Sequence, residues 1–85
     1  MTLRLAAHVA VTETEHGMVL LDQRAGRYWQ MNDTAALVLR RLLDGGTVDE
    51  AVAALRERFP DAADHAPADV ADLIASLRQA KVTAS

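Results

Sequence analysis

Between residues 8 and 31 apolar positions alternate, pause and resume. Val9 and Val11 share one parity, the polar run Thr12-Glu13-Thr14-Glu15-His16-Gly17 follows as a turn, and Met18-Val19-Leu20-Leu21-Asp22 takes the pattern up again. That sequence of features predicts a β-hairpin. Asp22-Gln23-Arg24-Ala25-Gly26 reads as a second turn, with Gly26 where a positive φ costs little. It leads into Arg27-Tyr28-Trp29-Gln30-Met31, which holds two of the chain's three aromatics. Residues 8–31 are therefore expected to form a three-stranded meander.

From Asn32 the period changes to that of a helix. Asn32 is a good N-cap, Asp33 suits the positive end of a helix dipole, and Ala36, Leu37, Leu39, Arg40 and Leu43 place a leucine stripe on one face. Gly45-Gly46 stops this helix. Thr47-Val48-Asp49-Glu50 has the spacing of a capping box, and a second helix follows to about Phe59, with Val48, Val52, Leu55 and Phe59 on one face and Pro60 as its end. A loop with Asp61, Asp64 and His65 precedes Pro67, well placed in the first turn of a third helix on which Val70, Leu73, Ile74 and Leu77 recur at i, i+3, i+4 and i+7. The tail from Gln79 to Ser85 shows no strong pattern and is expected to fray.

Strands about 8–31 followed by helices about 33–80 make one α+β domain over residues 1–85, a winged-helix-like arrangement of a three-stranded antiparallel sheet followed by three helices. The helices would cover one sheet face, leaving the other face and one edge strand open. An open edge either aggregates or is kept for a partner to pair with. In that case the Trp29/Met31 side of strand three forms one wall of a groove whose other wall is helix three. The alternative is that Trp29 simply fills the core.

Composition narrows the function further. Eighty-five residues leave little room for a large active-site cleft, and the absence of cysteine excludes disulfides, a cysteine zinc site and thiol catalysis. The amino-terminal run Met1-Thr2-Leu3-Arg4-Leu5-Ala6-Ala7-His8 lacks a signal-peptide core and no apolar run approaches a membrane span, so a cytoplasmic protein is expected. A net charge of −3 speaks against a nucleic-acid surface. Helix two presents Asp49, Glu50 and Glu57 beside Arg56 and Arg58, and helix three Asp69 and Asp72 beside Arg78, so neither is a basic recognition helix.

No enzyme signature emerges. His8, His16 and His65 fall on a strand start, a turn and a loop, without the spacing that puts two imidazoles on one metal. Glu13/Glu15 and Asp69/Asp72 read as a solvated turn and a helix opening, and neither Ser76 nor Ser85 sits in a nucleophile motif. Neither metal nor cofactor is expected.

The run Gly26-Arg27-Tyr28-Trp29-Gln30-Met31-Asn32, then Thr34-Ala35-Ala36 and Leu43-Asp44-Gly45-Gly46-Thr47, closely resembles the small PqqD-like proteins of lasso-peptide gene clusters. Leu5-Ala6-Ala7-His8-Val9 and Val19-Leu20-Leu21-Asp22 extend the similarity over nearly the whole chain. Ala80-Lys81-Val82 departs from it, standing where Ala-Gly-Leu or Gly-Leu-Val is more usual. The resemblance implies a RiPP recognition element, which does no chemistry and binds the leader segment of a ribosomally made precursor peptide. A separate cysteine protease of transglutaminase type, and a lasso cyclase, would be its partners. Family members hold a leader tyrosine and proline in the strand-three/helix-three groove. The matching positions here are Tyr28, Trp29, Gln30 and Met31 with Val70, Leu73, Ile74 and Leu77. Asp69 and Asp72, on the outer side of helix three, read as a solvated face or as partners for a basic leader residue. A peptide chaperone for a radical-SAM maturase is the alternative within the family, and a winged-helix DNA-binding regulator the alternative outside it. The open edge could also pair with a second copy of the chain.

Overall fold

The structure is a computed structural model in which residues 3–84 are described; Met1, Thr2 and Ser85, all weighed above, lie outside them. Three strands, β1 (Val9–Thr14), β2 (Gly17–Asp22) and β3 (Arg27–Met31), form an antiparallel sheet in the order β1-β2-β3. Three α-helices follow: α1 (Asp33–Leu43), α2 (Val48–Arg58) and α3 (Ala66–Gln79), with a 3₁₀ turn at Pro60–His65 where a loop was expected. The α+β architecture is the one the sequence predicts.

The first turn is shorter than expected. Thr12, Glu13 and Thr14 belong to β1, paired with Val19, Met18 and Gly17, so that only Glu15 and His16 remain in the turn. Three successive polar residues hide a strand when it lies at an edge with little to bury. Glu13 has a partner all the same, since its carboxylate accepts from Arg40 of α1 at 2.7 and 2.8 Å and ties the hairpin to the helix.

Register sets which side chains face the helices. The pairs Leu20–Trp29 and Met18–Met31 stand on the inner face, while Leu21–Tyr28 and Val19–Gln30 stand on the outer one. Met18 and Leu20 are buried, as are Ala36, Leu39 and Leu42 of α1, Ala51 and Leu55 of α2, and Val70 and Leu77 of α3. The helices cover one face only. Among the described residues the sheet has three strands, so β1 and β3 each have an edge without a strand neighbour, one more than the sequence reading allows.

The helix termini explain where the helices lie. Asn32 Oδ1 accepts from the Ala35 amide at 3.0 Å and starts α1 directly after β3. Thr47 and Glu50 form the reciprocal capping box of α2. Those bonds, to the Thr47 backbone first, hold the Glu50 carboxyl below its ordinary value.

As far as Ala84 the tail is fixed, in place of the expected fraying. Val82 is fully buried and Leu3 nearly so, Leu5 bridges Thr83, and main-chain bonds run from Ala6 to Val82 and from Ala84 to Arg4. A strand bridge to a distant segment leaves no local period, which is why the tail looked patternless. α3 ends in a Schellman turn, with Val82 N bonded to Leu77 O at 3.3 Å and Lys81 N to Arg78 O at 3.0 Å. Lys81 occupies the left-handed position of that turn at φ 62°. This is where the chain departs from the PqqD-like pattern, and the left-handed conformation costs a side chain about 1–2 kcal/mol. Lys81→Gly is therefore expected to stabilise the fold by about 0.5–1 kcal/mol, read as a rise in the urea midpoint.

Candidate functional site

The free edge of β3 carries a defined set of main-chain groups. A two-residue turn closes on a pair that exchanges both hydrogen bonds, here Thr14 with Gly17. Alternation then directs the main chain of Gly17, Val19 and Leu21 toward β1 and that of Met18, Leu20 and Asp22 toward β3. Their partners Met31, Trp29 and Arg27 are thus spent inside the sheet. The Met31 carbonyl lies against Gly17, as this requires. Tyr28 and Gln30 turn their N–H and C=O groups to the open edge.

Beside that edge lies a cleft. No Cα of β3 comes within 8 Å of a Cα of α3, although both pack against α1. The gap holds a cavity of ≈ 380 Å³. Trp29 and Met31 form its β3 wall, Leu73 and Leu77 of α3 with the C-cap Ala80 the opposite wall, and Ala35 of α1 its floor. Gln30, Asn32 and Ser76 supply polar groups at the lip. A second depression, shared by Gln30, Met31 and Asn32 with Thr14, His16, Met18 and Val19, continues past the end of β3.

Five of the eight residues read from the sequence meet in this cleft: Trp29, Gln30, Met31, Leu73 and Leu77. Tyr28 stands on the outer sheet face, 67% exposed, so only its main chain serves the edge. Val70 is fully buried and Ile74 nearly so; both belong to the core and neither lines the cleft. α3 carries two overlapping stripes. Ala66, Val70, Ile74 and Leu77 face inward, while Leu73, Ser76, Leu77 and Ala80 face the cleft at i, i+3, i+4 and i+7. The second stripe was present in the sequence but masked by its small and polar members, and Ser76 and Ala80 were missed with it. Asn32 and Ala35 were missed because capping and helix propensity account for them locally.

The turn before β3 is held from below. Asp22 Oδ1 accepts from Arg24 N at 2.9 Å and Ala25 N at 3.0 Å, with His8 Nε2 3.7 Å away. The amide of Ala25 first, then that of Arg24 and the charges of His8 and Arg27, keep the Asp22 carboxyl below its ordinary range. The Arg27 guanidinium lies 5.5 Å from the Trp29 ring centroid, a cation–π contact to a residue of the cleft wall. Among the described residues no three His, Cys, Asp or Glu side chains gather as a metal site, and no helix is long and apolar enough to cross a membrane.

The sequence matches the PqqD family, described as coenzyme PQQ synthesis protein D, over residues 17–82. The chain belongs to the PqqD family. A search of curated proteins gave no significant match. Among solved structures, a lasso peptide synthetase B1 complexed with the leader peptide is 39% identical to this PqqD-family chain, with 100% of each chain covered and a TM-score of 0.89. TbiB1 in complex with the TbiA(beta) leader peptide shares the fold at 17% identity, covering 96% of this chain and 95% of its own, with a TM-score of 0.84.

Proposed function

We propose that this PqqD-family chain is a RiPP recognition element that binds the leader segment of a lasso-peptide precursor by strand addition at β3. The observation that carries the reading is the free β3 edge beside an apolar cleft, in a chain 39% identical over its full length to a lasso peptide synthetase B1 complexed with its leader. An extended peptide gains affinity from main-chain bonds to Tyr28 and Gln30, and specificity from side chains that enter the cleft between Trp29, Met31, Leu73 and Leu77. The protein does no chemistry itself. It presents the bound precursor, in the cytoplasm, to a separate transglutaminase-like leader protease and a lasso cyclase. A second copy of the chain competes for the same edge.

Amide hydrogen exchange tests the binding mode residue by residue. Addition of the leader is expected to protect the amides of Tyr28 and Gln30, which face solvent in the free protein, and to leave Trp29 little changed. Leader binding with no new protection at either amide contradicts strand addition at this edge. Gln30→Pro removes one edge donor without touching the sheet, a substitution edge strands tolerate. A leader carbonyl left without its donor costs about 1–3 kcal/mol. Binding is thus expected to weaken at least fivefold by calorimetry, whereas Trp29→Pro would break a bond to β2.

A further inference from the structure

Past the cleft beside β3, a second compartment of ≈ 300 Å³ opens, and the two share Asn32, Ala35 and Leu73. Val38 of α1 and Leu55 of α2, both buried, make its depth apolar, and Thr34 and Asp69 complete its rim. Main-chain pairing at β3 uses none of these groups.

The rim favours a hydrogen-bond donor. Asn32 Oδ1 accepts both the Ala35 amide at 3.0 Å and the Thr34 hydroxyl at 2.9 Å. Thr34 has therefore spent its only proton and offers lone pairs alone. Asp69 is an acceptor throughout and makes no ion pair among the described residues. Asn32 Nδ2 is the one remaining side-chain donor among the residues that line the compartment. The amino termini of α1 and α3 each contribute about half a positive charge, while Asp69 and Asp72, one turn apart on α3, carry a full negative charge each. Of the residues that line the compartment, Asp69 alone has a charged side chain, so a cationic head group is its complement.

We propose that this compartment takes one lysine or arginine side chain of the bound peptide, with its methylenes against Val38, Leu55 and Leu73 and its charged head at Asp69. The side chain would lie as such residues do at apolar surfaces, stem covered and head at the polar rim. Main-chain pairing alone leaves a peptide free to slip along an edge. A charged subsite beyond Asn32 only, off one end of β3, selects a single register. Asp69 is thus a specificity-determining residue, an assignment that rests on strand addition at β3.

The test is a double-mutant cycle with the leader peptide encoded beside this chain's gene. Each lysine or arginine of the leader is replaced in turn by norleucine, which keeps the stem and loses the charge. Binding to the wild type, Asp69→Asn and Asp72→Asn is then measured by fluorescence anisotropy, with thermal melts to confirm folding. At one position norleucine is expected to weaken wild-type binding about fivefold, the upper end for a partly exposed pair, and to have no effect in Asp69→Asn. Asp72→Asn should behave as wild type. If the leader binds tightly yet no basic position couples to Asp69, or the leader has no basic residue, the subsite is overturned while strand addition stands. Failure of the wild type to bind the leader at all overturns both.

Discussion

Trp29→Ala is expected to weaken leader binding at least thirtyfold while the chain remains folded. Trp29 is the largest side chain in the cleft wall and is only partly buried, so part of its surface is open to a ligand in the cleft. It carries the Arg27 guanidinium over its ring and shares the cleft with the apolar side chains of Leu73, Leu77 and Ala80. Aromatic residues at the centre of such grooves carry about 2–4 kcal/mol of binding when truncated, which corresponds to about thirtyfold to nearly a thousandfold. Trp29→Phe keeps a flat apolar wall and is expected to recover most of the affinity, whereas a purely structural Trp29 would make the two variants bind alike. Calorimetry against the leader, with a melt for each variant, separates the outcomes. Because Trp29 is the only tryptophan in the chain, its emission also reports occupancy without a label. Leader binding should shift that emission to the blue.

Gly17→Ala is expected to cost about 3 kcal/mol or more of stability, the largest loss for a single methyl group in this fold. Gly17 sits at φ 154°, which side chains rarely adopt, and a Cβ there would overlap the Met31 carbonyl oxygen and approach Asn32 C to 3.2 Å. The backbone must move, since no flexible side chain can give way. For a chain of this size the loss appears as a fall in Tm of about 12–24 °C. Gly26→Ala is the control. Gly26 also has a positive φ, 68°, but a Cβ there would meet nothing within 4 Å, so only the conformational cost of about 1 kcal/mol remains. The Met31–Asn32 junction that Gly17 supports is also shared by the cleft and by the depression beyond it, so Gly17→Ala should impair leader binding at temperatures where it is still folded.

Much of this was legible from residue order. The alternation around Leu20 and Trp29, the cap at Asn32, the capping box from Thr47 to Glu50 and Pro67 at the start of α3 are local signals, and each operates as its chemistry requires. What escaped was non-local. The pairing of Leu5 with Thr83 joins the two ends of the chain, and no period within either end announces it. The polar residues Thr12 to Thr14 read as a turn because the signal for an edge strand is the partner it pairs with. In the site, spacing alone could not divide α3 between its core stripe and its cleft stripe. Periodicity therefore groups Val70 and Ile74 with Leu73 and Leu77 and gives no sign of Ser76 and Ala80.

The most direct test of the central claim is a fluorescence-anisotropy titration of the labelled leader peptide, with a scrambled leader and a duplex DNA as controls. Leader-selective saturation below about 10 μM, close to −7 kcal/mol, is the predicted result, with no comparable binding to the scrambled peptide or the DNA. Equal weak binding to all three, or tighter binding to the duplex that falls steeply with salt, would contradict a peptide-recognition role for the β3 edge.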